Sequence, residues 1–360
     1  MIICIAGGTG GHVFPAHALE QEFSYRANAP LIHFITDQRT ASLFSHKHHG
    51  RVFCMPSEKP SKRFLFLLSL GLNFFKCLYR FIKKRPHVVC GFGGYVTFSG
   101  VLAAWCLRIP TVIHEQNAHM GQVNRFLSKI ATVTTTAFQN TQGLSVKKSF
   151  WVGMPSRFCG NDSLFDEKKN PSHPLKEDTF CLFITGGSQG AKIFSTLIPK
   201  ALTQLKPHTQ KNMRIIQQVR QEDMSMVREI YGHHFFKEVV LAPFFSDMIT
   251  HYQNADLVIA RAGASTLFEL KTLQKPAIII PFAKAKDNHQ LANARYFQDH
   301  GACWLLEEKS LHDHQLSLFL QKIMDYPEER DKKIQKLKEL SSIKTPYVLV
   351  EIIENLIKRN

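Results

Sequence analysis

Residues 1–12 read Met1-Ile2-Ile3-Cys4-Ile5-Ala6-Gly7-Gly8-Thr9-Gly10-Gly11-His12, an apolar run that turns abruptly to glycine. About half the chain later, Phe180-Cys181-Leu182-Phe183-Ile184-Thr185 leads into Gly186-Gly187-Ser188-Gln189-Gly190-Ala191. Both stretches carry G-G-[ST]-x-G directly after a short apolar segment. Such a segment, stopped by glycine, fits a strand buried on both faces in a parallel sheet. A helical pattern follows each turn, from Pro15 in the first copy. Two similar halves, each opening with strand, glycine turn and helix, are the economical reading of this repeat.

The same alternation continues outward from both copies. Strands are expected at Leu31–Ile35, His87–Cys90 and Pro110–His114, then at Arg214–Val219, Val239–Leu241, Leu257–Ala260 and Ala277–Pro281. A third glycine turn, Gly91-Phe92-Gly93-Gly94-Tyr95, precedes an apolar helix through Leu107. Short apolar strands alternating with helices indicate parallel α/β architecture. Residues 158–178, rich in Gly, Asn, Asp, Ser, Pro and Lys, read as a linker with an irregular start to a second domain. The expected division is 1–157 with about 345–360, and 158–344; a last helix runs from about Tyr347.

The chain has 360 residues, 44% hydrophobic and 21% charged, which excludes a disordered or fibrous protein. Its net charge of +16 points to an anionic partner. Residues 1–157 hold 18 of the 45 cations but only 5 of the 29 acids, so the N-terminal half is the side expected to meet it. The 8 cysteines show no zinc spacing and read as reduced thiols of a cytoplasmic protein. The N-terminus lacks the leading cations of a secretory signal. No recognisable nucleic-acid module accompanies the basic region, and none is expected to bind there.

A glycine turn between strand and helix lets a phosphate approach the backbone and the positive end of the helix dipole. None of the three turns is a Walker loop, and none fits G-x-G-x-x-G, which disfavours a nicotinamide dehydrogenase. Gly186–Gly190 also satisfies the nucleophile-elbow pattern G-x-S-x-G, so an α/β-hydrolase using Ser188, with Asp256 or Asp287 and His289 or His300, is the rival reading. Against it, a hydrolase leaves the matching first turn unexplained. His114-Glu115-Gln116-Asn117-Ala118-His119 misses the zinc motif by one position, and D-x-D is absent. A metal is therefore not expected, nor is a cofactor. His46, His48 and His49 read as an exposed loop cluster. Thr266 and Glu269 fit a capping box; Glu269 equally suits a carboxylate that accepts hydrogen bonds from ribose hydroxyls, and both readings stand.

These motifs in their order, together with Asp287-Asn288-His289-Gln290 and Asn293, resemble the MurG family of bacterial N-acetylglucosaminyltransferases. The resemblance spans roughly residues 1–310. It implies a GT-B fold, two Rossmann-like domains facing a cleft, with the last helix crossing back to the first domain. It implies inverting transfer of N-acetylglucosamine from UDP-N-acetylglucosamine to the C4 hydroxyl of the muramyl unit of lipid I, giving lipid II in peptidoglycan synthesis. A GT-B enzyme with another UDP-sugar or acceptor is the nearest alternative. The resemblance places donor contacts at Thr9, Gly10, Gly11, Asn117, Arg157, Ser188, Phe245, Ala264, Ser265, Thr266, Leu267, Phe268, Glu269 and Gln290. Two positions depart from the family pattern: Met154 replaces an asparagine of G-N-P-x-R, and His289 the first of two glutamines.

The attacking hydroxyl needs a proton acceptor. His12, at the carboxyl-end edge of the first sheet, is the favoured base because the resemblance puts a histidine there; Glu115, on another loop at that edge, competes. An anionic membrane surface is the second expected partner. Residues 59–85 hold eight cations and no acid, and Phe64–Phe75 is charge-free but too short, at about 18 Å of helix, for a bilayer core of roughly 30 Å. Along 64–82, Ser69, Asn73, Lys76 and Arg80 form one narrow polar stripe; a core helix would show that stripe to water and bury its apolar face. Leu65, Leu68, Leu72, Phe75, Tyr79 and Ile82 lie outside the stripe, with Leu67, Phe74 and Phe81 opposite. Apolar side chains dipping into the interface while cations meet anionic lipid would place the protein at the cytoplasmic face of the inner membrane as a peripheral protein.

Overall fold

The computed structural model describes residues 1–44, 51–56, 63–144, 149–155, 179–187, 190–285, 288–340 and 347–358. The chain divides into two compact units, Met1–Gly160 with Ile343–Asn360, and Asn161–Ser342.

The first unit runs β1 (Ile2–Ile5), α1 (Gly10–Ser24), β2 (Ile32–Asp37), β3 (Val52–Met55), α2 (Arg63–Lys83), β4 (Val88–Gly91), α3 (Tyr95–Cys106), β5 (Thr111–Glu115), α4 (Gln122–Leu127), β6 (Val133–Thr136) and β7 (Ser149–Trp151). The second runs β8 (Phe180–Thr185), α5 (Lys192–Thr203), α6 (Pro207–Lys211), β9 (Met213–Gln218), α7 (Met224–Gly232), β10 (Glu238–Ala242), α8 (Met248–Asn254), β11 (Leu257–Ala260), α9 (Ala264–Thr272), β12 (Ala277–Ile279), α10 (His289–Asp299), β13 (Trp304–Leu305), α11 (Asp313–Asp325) and α12 (Pro327–Glu339). A last helix, α13 (Tyr347–Lys358), returns to the first unit.

The sheets are ordered β3-β2-β1-β4-β5-β6-β7 and β10-β9-β8-β11-β12-β13. Every strand pairing is parallel, with Ile2 opposite Ile32 and Val88, and Leu182 opposite Ile215 and Leu257. In both, the chain starts centrally, works outward, then crosses to the other side, leaving a switch point beside β1 and beside β8 where ligands settle in open α/β sheets. Alternate residues of β1 feed opposite cores. Ile2 and Cys4 pack with α1 residues Leu19 and Phe23 and with Leu349, Val350 and Ile353 of α13. Ile3 and Ile5 pack with Cys77, Phe81 and Val101 on the side of α2 and α3.

One sequence expectation is corrected here. Helix α1 starts at Gly10, inside the glycine turn, and carries Pro15 within it; a proline marks a helix start only by preference. The polar stripe of α2 faces water only in part: Lys76 and Arg80 are exposed, whereas Asn73 is not. Asn73 is 3% exposed and donates to the Pro56 carbonyl at 3.0 Å, beside buried Cys77 and Phe81. Beside these cations the outward face is apolar: Leu65, Leu68, Leu72, Phe75, Tyr79 and Ile82 are all exposed, as is Leu67. Their spacing of alternating three and four residues makes one continuous stripe. Leu65–Lys83 is long and apolar enough to cross a membrane by length and composition, yet Cys77 and Phe81 belong to the unit's core.

Candidate active site

In the first unit, the turns after β1 and β4 lock together. The Gly7 N–H donates to the Gly93 carbonyl at 3.3 Å, and the Thr97 hydroxyl donates to the carbonyls of Gly93 (2.7 Å) and Ile5 (3.2 Å). Gly94 has φ +85°, and a Cβ there would stand 2.5 Å from the Gly7 carbonyl oxygen, so only glycine fits. Half-buried His12 lies against this pair of turns: a Cβ on Gly93 would come within 2.9 Å of its Nε2. Its Nδ1 is 2.6 Å from the Gly7 carbonyl. A carbonyl only accepts, so Nδ1 carries the proton, and in the neutral ring Nε2 is the basic nitrogen. Thr9, the N-cap of α1, is exposed beside it, without a side-chain capping bond.

Glu115 is 1% exposed at the end of β5. Its Oε1 accepts from Asn117 N (2.9 Å) and Nδ2 (3.1 Å), and its Oε2 from Gly121 N (3.1 Å) and Asn124 Nδ2 (2.8 Å). Four donors on one carboxylate make it the staple of the 116–124 loop, and they occupy the oxygens a base would offer. Burial pushes the pKa of the adjacent His114 down to about 3, so that ring is neutral.

Sequence reading missed Asp37, fully buried at the end of β2. It pairs with Arg39 at 2.9 Å and accepts from Thr40, and Gly7 approaches so closely that a Cβ there would lie 3.0 Å from its Oδ2. The signal was a lone acid closing a strand.

In the second unit, Gln218, likewise missed, closes the turn after β8. Its Oε1 accepts from Thr185 Oγ1 (3.0 Å) and Gly186 N (3.1 Å), and its Nε2 donates to the carbonyls of Gly187 (3.0 Å) and Pro243 (3.2 Å). Helix α9 starts at Ala264 with Gly263 as N-cap and no side-chain cap. The capping-box expectation is thereby corrected: Thr266 stands within the first turn and Glu269 in the second, where it cannot reach back to cap. Glu269 is buried, and the Ser265 hydroxyl is buried without a hydrogen-bond partner. Asn293 Nδ2 holds the Ala262 carbonyl at 3.1 Å, and Gln290 Oε1 accepts from Phe282 N at 2.9 Å. Arg261 binds the carbonyls of Ile280 and Pro281 and Glu308 at 2.7 Å, fixing the loop after β12.

The carboxyl ends of β8, β11 and β12 thus gather Gly186, Gly187, Ala264, Ser265, Thr266, Glu269 and Gln290. Leu267 and Phe268 instead face the core. Phe245 is also packed inward, its ring 4.5 Å from His251 and 5.8 Å from Phe183, while the neighbouring Phe244 is 64% exposed. Met154 is 2% exposed, an apolar group where the family pattern has an amide. Arg157, Ser188, Asp287 and the histidines at 46, 48 and 49 lie outside the described residues. Asp256 cannot serve a triad on the β8 turn. It accepts from Cys181 N at 2.7 Å at the opposite, amino-terminal end of the strands.

Two Rossmann-ordered sheets, each with a glycine turn at its switch point, are the architecture of the GT-B fold, and the family models make the chain's class that of a glycosyltransferase. The glycosyltransferase family 28 N-terminal domain matches residues 2–136, and the family 28 C-terminal domain residues 181–346. The chain is 37% identical to the UDP-N-acetylglucosamine–N-acetylmuramyl-(pentapeptide) pyrophosphoryl-undecaprenol N-acetylglucosamine transferase of Rickettsia bellii, over 99% of this chain and 95% of that one. It is 36% identical to the enzyme of the same name from Rhodospirillum rubrum, over 91% and 84%. The crystal structure of Acinetobacter baumannii MurG is similar with a TM-score of 0.76 at 27% identity, covering 98% of this chain and 99% of that one. The chain belongs to the MurG family.

Proposed function

We infer that this enzyme transfers N-acetylglucosamine from UDP-N-acetylglucosamine to the C4 hydroxyl of the N-acetylmuramyl unit of lipid I, with inversion, giving lipid II and UDP. The observation that carries the reading is the near-full-length likeness to transferases of that name, joined to two glycine-turn units of the family 28 type. The C4 oxygen attacks the anomeric carbon, its proton passes to Nε2 of His12, and the bond from that carbon to the diphosphate breaks with its electron pair leaving on UDP. The bond from Nδ1 to Gly7 sets the ring for this step, and Glu115 positions Asn117 rather than taking the proton. The departing charge falls to the β8 turn and the uncapped start of α9, where fixed N–H groups and the Ser265 hydroxyl require no reorganisation. Glu269 accepts from the ribose, Gln290 and Asn117 contact the sugar nucleotide, and Phe244 offers the ring face beside Phe245.

Transfer of labelled N-acetylglucosamine to a lipid I analogue tests the reading. Product that depends on the acceptor supports it; release of UDP without acceptor contradicts it. Glu269→Ala should raise the donor KM well beyond any loss of stability.

The acceptor is lipid-linked, and we propose that the enzyme docks peripherally on the cytoplasmic face of the inner membrane through α2. The apolar stripe from Leu65 to Ile82 would enter the interface while the cations of residues 59–85 meet anionic lipid. Vesicle flotation should show salt-sensitive binding to anionic vesicles that weakens when Lys83, Lys84 and Arg85 are neutralised. Equal partition onto neutral and anionic vesicles would contradict it.

A further inference from the structure

A cavity of about 410 Å³ lies between α2 and the amino-terminal ends of β1, β2 and β3, at the other end of the strands from the glycine turns. His33 and Phe53 line it on the sheet side, and Lys76, Arg80, Lys83 and Lys84 on the helix side. No carboxylate lines it among the described residues. Arg51, at its edge, is paired with Glu20 at 3.2 Å. The four helix-side cations make no ion pair among the described residues; Arg80 only lies 4.2 Å over the Phe53 ring and Lys83 6.0 Å from Tyr79. The Nε2 atom of His33 is buried and has no hydrogen-bond partner. Burial first, then the charges of Lys84, Arg80 and Arg51, lower the pKa of that ring, so the field of these cations reaches the cavity floor.

Unpaired cations converging on a concave, partly apolar wall form a site for an anion, and the volume exceeds what a bare phosphate fills. We propose that this cavity binds the phosphate of an anionic glycerophospholipid headgroup, with Arg80 and Lys84 supplying charge and His33 Nε2 a hydrogen bond. The shared chemistry is a phosphate anion carried on glycerol. A lipid is its source because the cavity opens beside the exposed apolar stripe, and Tyr79 belongs to both. This rests on the membrane-docking reading of α2 and goes beyond it: general electrostatic attraction needs no pocket, whereas a headgroup site saturates.

The full chain, labelled at histidine ring carbons, is titrated with glycerol 3-phosphate and with inorganic phosphate while the His33 resonance is followed, and vesicle flotation is run in parallel. Glycerol 3-phosphate should shift His33 saturably. Arg80→Gln with Lys84→Gln, checked for folding by circular dichroism, should raise the half-saturation concentration at least tenfold and cut the preference for phosphatidylglycerol over phosphatidylcholine vesicles by a similar factor. A linear, unsaturated shift overturns the proposal, as does saturation that the double variant leaves unchanged. Saturation by both soluble phosphates with an unchanged vesicle preference overturns the lipid source. Leu72→Ser with Phe75→Ser separates the two readings. It should abolish flotation yet keep the glycerol 3-phosphate saturation; retained flotation would sink docking through the stripe while the cavity result stands.

Discussion

The turn after β1 and the turn after β8 occupy the same place in two sheets of the same order, yet different side chains close them. The first is closed by an imidazole, His12 Nδ1 on the Gly7 carbonyl, against the glycines that follow β4. The second is closed by a primary amide, with all four hydrogen bonds of Gln218 directed at the turn and its surroundings. An imidazole can take up a proton at its other nitrogen; an amide cannot at any working pH. In the proposed mechanism one backbone device, duplicated, serves two chemistries: proton transfer on the acceptor half and a fixed array of dipoles for the leaving group on the donor half.

The largest effect should come from His12→Ala. Loss of a general base lowers kcat by about 10²–10⁴-fold, and donor KM should barely move, because the donor half is untouched. A comparable rise in donor KM would break the division of labour. Gln218→Ala comes next. It leaves several turn groups without partners, at a cost of about 1–3 kcal/mol, which is roughly five- to 150-fold in UDP affinity. Calorimetric titration with UDP measures it, and an unchanged acceptor KM would sharpen the contrast. The smallest catalytic effect belongs to Glu115→Gln. An amide nitrogen would then face donors instead of accepting from them, which lowers stability by about 1–3 kcal/mol. Thermal unfolding should register that loss, while kcat falls less than in His12→Ala.

The residues that carry this comparison were unequally legible in the sequence. The glycine turns were plain, because apolar strands broken by glycine leave few structural alternatives. Strands β3, β6, β7 and β13 are not legible: they are four residues or fewer, too short to stand out even where apolar, as in Val52–Met55, and β6 is mostly threonine. The start of α9 was misplaced because the T-x-x-E pattern at 266–269 has the spacing of a cap whichever turn it occupies. Helix α2 leaves two readings open in the sequence, and the exposure of Leu65, Leu68, Leu72, Phe75, Tyr79 and Ile82 agrees with the one in which apolar side chains face outward. Its polar stripe gives the right period, but only Asn73 bonding to Pro56 reveals which side is buried. Gln218 carried no signal at all, since its role depends on three loops brought together by the order of the sheet.

The claim that His12 alone accepts the proton is tested most directly by the pH dependence of kcat at saturating donor in wild type, His12→Ala and Glu115→Gln. A base must be unprotonated to act, so the wild-type rate should fall as pH drops through the titration of the ring. This acidic limb should disappear in His12→Ala and persist in Glu115→Gln. An acidic limb that survives in His12→Ala and vanishes in Glu115→Gln would contradict the claim and move the proton to Glu115.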